Sequence, residues 1–126
     1  MSLRSPLGTA KGLGSAKDGL HHWWAQRVTA IALIPLTIWF AFKVAVLSQS
    51  DYQTVIECIG SPWSAALIVS LVVAAFYHAA LGLQVIFEDY IGHKAVRVGA
   101  IMATNLLLFL LGAAATIAVV RIALGG

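Results

Sequence analysis

One histidine, His78, stands inside a long apolar run, and the same stretch, FYHAALGLQVIFEDY at residues 76–90, closes on an acid and a phenol, Asp89 and Tyr90. An ionisable side chain in hydrocarbon needs a partner, so an imidazole in such a run marks a site. It can ligate haem iron or another metal, relay protons, or hydrogen-bond to a neighbouring helix. Gly82, one turn on, removes a side chain from the same face, where a flat macrocycle or another backbone can approach. Helical geometry ties these residues together: Asp89 falls about 16 Å along the axis from His78 and about 20° around it. An acid and a phenol at a membrane boundary can bond the oxygens of a quinone, and the acid can pass protons from water. They equally suit a solvated helix end with a tyrosine anchor.

Arg27 offers a second candidate. Its fork of donors can bind a carboxylate such as a haem propionate, or a phosphate, and it also fits a plain interfacial anchor. His21 lies near enough in sequence to serve the same acidic group, whereas His22 reads equally as surface. The paired Trp23 and Trp24 suit the headgroup boundary.

The elements that must hold these residues are read from composition. A chain of 126 residues with 60% hydrophobic and 10% charged content and a mean hydropathy of +0.90 departs from a soluble domain, whose charged share is roughly 25%. The pattern predicts an all-α membrane protein with three transmembrane helices at about 28–47, 63–87 and 98–124. Each run reaches the ~20 residues that cross a bilayer core, and none alternates as a barrel strand would. Residues 28–124 thus form the membrane domain. Residues 1–27 form an arm that lacks the apolar core of a secretory signal and becomes ordered near the tryptophans. Three helices enclose little space, so a large ligand requires packing against partner helices.

Basic residues orient the chain. Arg4, Lys11, Lys17 and Arg27 precede the first run, and Lys94 and Arg97 lie between the second and third. The first connection, 48–62, carries Asp51 and Glu57 but no Lys or Arg. The positive-inside rule then places the N terminus and Tyr90 in the cytoplasm and the C terminus in the periplasm. Lys43 and Arg121 snorkel on the far side. Pro35 is expected to bend or loosen the first helix, and Thr104 and Asn105 are polar points that prefer protein to lipid. The small residues from Gly112 to Thr116 suit close helix packing. The single Cys58 excludes an internal disulfide and reads as an inert loop residue. No phosphate loop, CxxC pair or nucleophile triad is present, and the net charge of +3 is explained by topology rather than by nucleic-acid binding.

His78, Gly82, Asp89 and Tyr90, three apolar runs and an arginine opening the first together resemble the small membrane-anchor subunit of succinate dehydrogenase, the D-type subunit of respiratory complex II. The stretch SPLGTAKGLGSAKDGLHHWWAQRVTAIALIPLTIWF is similar to alphaproteobacterial members. The resemblance implies a multi-pass protein of the bacterial inner membrane. It also implies partners: a flavoprotein that oxidises succinate, an iron–sulfur subunit, and a second, C-type cytochrome b anchor. Haem b is implied between the two anchors, with His78 as this chain's axial ligand to the iron and Arg27 and His21 in the propionate region. Ubiquinone is implied as substrate, with Tyr90 at its head group and Asp89 beside it. On this reading the chain carries no catalytic residue of its own and acts only as a subunit of the oxidoreductase. The alternatives are a fumarate reductase anchor, which uses similar parts, and a haem-free membrane scaffold or transporter component.

Overall fold

The computed structural model describes residues 15–126, all of whose regular structure is helical: α1 over Ser15–Leu47, α2 over Tyr52–Gly60, α3 over Pro62–Tyr90 and α4 over Lys94–Ala123. The part of the N-terminal arm over 1–14 lies outside the described residues. Three helices are long and apolar enough to cross a membrane. In hydrocarbon every backbone amide must be satisfied within its own segment, which a helix does at every residue. The longest, α4, has 30 residues and extends about 45 Å, against a hydrocarbon core of about 30 Å. Helical backbone therefore continues past the apolar runs into the polar shoulders. α1 begins at Ser15, well before Val28. Ala, Leu, Lys and Gln are good helix formers whether or not lipid surrounds them. Pro35 lies inside α1 without interrupting it.

The connection between the first two spans holds a helix that hydropathy alone does not reveal. In α2, Val55, Ile56 and Ile59 are half-buried while Gln53, Thr54 and Glu57 are exposed, an amphipathic arrangement laid over the ends of α3 and α4. Gln53 Nε2 donates to Glu57 Oε1 at 3.0 Å along its outer face. The Thr54 hydroxyl donates to the Asp51 carboxylate at the start of the helix. That bond holds Asp51 below the usual carboxylate range, so its contribution is present at neutral pH and is lost as pH falls through the lowered value. α2 passes into α3 through Ser61, whose hydroxyl donates to Cys58 O at 2.9 Å, and Pro62 opens α3 where its missing amide costs nothing. His93 caps α4, its Nδ1 accepting from the Val96 amide at 3.4 Å.

α3 is the hub. α1 and α4 each pack along it and hardly on one another. Five residues are buried in the seams, the small or polar Thr29, Ser64 and Ala65 together with Leu81 and Val119, and no large side chain among the described residues is fully enclosed. Ile31, Ile38, Phe42, Phe109 and many others face outward. Lipid is as apolar as these side chains, so the bilayer exerts no pressure to bury them, and helix association rests on close packing and hydrogen bonds. Gly112 in α4 meets the Phe76 ring of α3, where an added Cβ would lie 3.6 Å away. Gly60, at the end of α2, faces the backbone carbonyl of Ile122 in α4, and a Cβ there would lie 3.2 Å from the oxygen.

A backbone carbonyl cannot move aside as a side-chain tip can. Gly60→Ala should lower thermal stability in detergent by about 1 kcal/mol or more, the cost of overpacking. Gly99→Ala, with nothing near its added methyl, should be neutral or stabilising by up to about 1 kcal/mol through helix propensity.

A candidate polar site in the seam between the first and second spans

The seam between α1 and α3 carries the site. His22, Gln26 and Thr29 fall at the i, i+4 and i+7 positions of α1 and so share one helical face. From α3 come His78 and, one turn on, Gly82. Thr29 Oγ lies 3.0 Å from His78 Nδ1, 2.7 Å from the Ala25 carbonyl oxygen and 3.1 Å from that of Gln26. A hydroxyl has one proton and two lone pairs, and a carbonyl oxygen can only accept. With its proton on the Ala25 carbonyl, the shortest of the three contacts, the oxygen accepts toward His78. That arrangement takes the His78 tautomer with Nδ1 protonated, which leaves the Nε2 lone pair for a metal or an acidic proton. Orientation of one ring nitrogen by a hydrogen bond is how a ligating imidazole is ordinarily fixed.

Gly82 sits beside Gln26, whose Nε2 would lie 3.7 Å from an added Cβ. Two polar atoms of this face, His22 Nε2 and Gln26 Oε1, are buried without a hydrogen-bond partner among the described residues. Such atoms cost free energy unless a ligand or a neighbouring chain satisfies them.

The other residues singled out by sequence lie elsewhere. Arg27 projects from a different face of α1, exposed, with its guanidinium 5.5 Å from the centre of the Trp23 ring. Trp23 in turn meets Trp24 edge-on at 5.3 Å. His21 is exposed, while its neighbour His22 is half-buried. Asp89 is exposed and Tyr90 is 84% exposed at the end of α3, about 18 Å along the axis from His78. The chain therefore brings His78 together with Thr29 and sets Gln26 beside Gly82 one turn along the seam, and it presents Arg27, His21, Asp89 and Tyr90 outward, where only another molecule could join them to it. Glu88 is engaged locally, accepting from Gln84 Nε2 at 2.9 Å. Among the described residues no cluster of three His, Cys, Asp or Glu side chains could hold a bare metal ion.

Thr29, Gln26 and His22 are the site residues that motif reading passes over. Their signal was a polar stripe at helical spacing, and two of its three residues lie outside the apolar run that draws attention to the helix.

Comparison with known proteins gives one consistent result. Residues 1–119 match the family model described as succinate dehydrogenase/fumarate reductase transmembrane subunit. The chain is 37% identical to the succinate dehydrogenase hydrophobic membrane anchor subunit of Rickettsia bellii over 82% of each chain. It is 31% identical to that of Paracoccus denitrificans over 96% of this chain and 93% of the relative. A further relative, the succinate dehydrogenase membrane anchor subunit of Reclinomonas americana, is 32% identical over 65% of this chain and 71% of its own.

Thr29→Val keeps the shape and removes the hydroxyl. In the wild type, 15N chemical shifts of His78 should show a protonated Nδ1 and an unprotonated Nε2. The valine variant should populate both tautomers and lose about 0.5–1.5 kcal/mol of thermal stability. A wild-type Nδ1 without its proton would contradict the assignment.

Proposed function

As this chain belongs to the succinate dehydrogenase/fumarate reductase transmembrane subunit family, we propose that it anchors a succinate:ubiquinone oxidoreductase, shares a haem b with a second anchor subunit, and forms part of the site where ubiquinone is reduced. The observation that carries this reading is the contact of His78: an intramembrane imidazole whose Nδ1 lies 3.0 Å from the Thr29 hydroxyl can offer Nε2 as a ligand.

The residues present fit a haem. His78 Nε2 would hold the iron, Gly82 keeps that face of α3 low, and His22 Nε2 and Gln26 Oε1, unpaired among the described residues, are polar atoms that a substituted macrocycle and its partner chain could satisfy. Arg27 and His21 are the exposed groups able to meet propionates from outside the seam. When bound, haem iron supplies a one-electron redox centre. The protein sets its properties through the basicity of His78 Nε2, which the Nδ1–H bond to Thr29 raises.

At the end of α3, Tyr90 donates its phenolic hydrogen to a quinone carbonyl oxygen. Asp89, exposed beside it, exchanges protons with water and delivers them to the reduced ring. Both groups face out of the chain, so the pocket around the head group is completed by the iron–sulfur subunit and the C-type anchor. Electrons reach it from the flavoprotein, which oxidises succinate. The excess of basic residues at the Arg27 and Lys94–Arg97 end supports a position of this site at the cytoplasmic face of the bacterial inner membrane, with the C terminus periplasmic. Two aromatic rings and an arginine at the same level, Trp23, Trp24 and Arg27, hold α1 at the boundary.

In the purified complex, His78→Ala should remove or shift the b-type absorption, and unchanged haem content and spectrum would refute the ligand assignment. Tyr90→Phe should slow ubiquinone reduction about tenfold, the worth of one hydrogen bond of about 1.4 kcal/mol, while succinate oxidation with an artificial acceptor stays intact. Equal loss of both activities would count against Tyr90.

A further inference from the structure

At the membrane end remote from Tyr90, all four helices converge on a cavity of 390 Å³, with walls that include Trp39 and Leu47 of α1, Val55 of α2, Ser64 of α3, and Val119 and Ile122 of α4. Its lining is apolar apart from a few groups, and one of these is the cation Lys43. Lys43 lies about 24 Å along α1 from Arg27, so it serves the opposite leaflet. It is half-buried, and its one side-chain contact of hydrogen-bonding type among the described residues is Cys58 Sγ, at 3.8 Å from Nζ. A thiol is a weak acceptor and offers an ammonium little. Both carboxylates of the adjoining segment are engaged otherwise: Asp51 accepts from Thr54 and Glu57 from Gln53.

The geometry points to a binding site for one anionic phospholipid, with its phosphate on Lys43 Nζ and an acyl chain in the four-helix cavity. Three observations select that occupant. The ammonium has no counter-charge among the described residues, and a partly desolvated cation is costly without one. The cavity lining between the helices is almost wholly apolar, which suits an aliphatic chain. Its walls come from α1, α2, α3 and α4 of this chain, so the site is built without a contribution from a neighbour. The lipid would join α1 to α4, which otherwise hardly touch, and so close the end of the bundle that α2 leaves open. Nothing in this site depends on haem or ubiquinone.

The test is native mass spectrometry of the purified, delipidated assembly titrated with phosphatidylglycerol, phosphatidylcholine and oleate of matched chain length. The wild type should bind one phosphatidylglycerol in preference to phosphatidylcholine. Lys43→Gln should weaken that binding about fivefold, the worth of one lysine toward an anionic lipid, and Lys43→Arg should preserve it. Ala118→Phe fills the cavity from an exposed position on α4 that lines it. It should weaken binding with the charge left intact. Arg121→Gln, a cation at the same end that lies outside the cavity, should change nothing; circular dichroism establishes that each variant is folded. Unaltered phosphatidylglycerol binding in both Lys43→Gln and Ala118→Phe would overturn the proposal. So would equal binding of phosphatidylcholine, or retention of oleate in place of the phospholipid.

Discussion

The Thr29 hydroxyl has one proton for three neighbours, and where it goes decides what His78 can do. Committed to the carbonyl of Ala25 at 2.7 Å, it leaves a lone pair facing α3, and only a protonated Nδ1 can answer it. The side chain that helps join two helices thus also sets the tautomer of the imidazole. Structural and chemical roles of His78 do not compete here, because they use different nitrogens. A histidine that bonds to a neighbouring helix and a histidine that binds a ligand were alternatives when only the sequence was considered; the contact with Thr29 uses Nδ1 and leaves Nε2 for the second role.

Other features follow from the same scarcity of polar partners inside a bilayer. α3 is the hub because it alone meets both other spans, and its contacts are made where side chains are small or carry a hydrogen bond, as at Ser64, Ala65 and His78. Leucines, isoleucines and phenylalanines, which would form the core of a soluble protein, lie outside, where lipid serves them as well as protein would. Lys43 obeys the same rule with the opposite sign of difficulty: its alkyl stem belongs in the membrane and its ammonium does not.

Hydropathy made the three spans legible, since a run of about 20 apolar residues has one economical conformation in lipid. It could not mark the ends, because the helices continue into polar sequence at Ser15, Tyr90 and Lys94, where hydrogen bonding rather than apolarity sustains them. Nor could it reveal α2, whose stabilisation comes from one face laid on α3 and α4 and whose other face reads as loop. His78 was legible because a titratable group in an apolar run is conspicuous. Thr29 was not, since a lone threonine is common in such runs and its significance lies in a neighbour 49 positions away. Arg27 and His21 were conspicuous by type, yet the fold turns them away from His78, and a linear sequence does not tell which face of a helix another will cover.

Thr29 also bears on how the chain enters the membrane. α1 is synthesised before α3 and must wait in lipid without it. A hydroxyl bonded to the carbonyl one turn back is satisfied by its own helix, so α1 can be released into the bilayer with no exposed donor at that position. His78 arrives later with a ring N–H in need of an acceptor, and the first span already presents one. The order of translation and the direction of that hydrogen bond agree: the early helix gives its proton to itself and saves its lone pair for the helix that comes after.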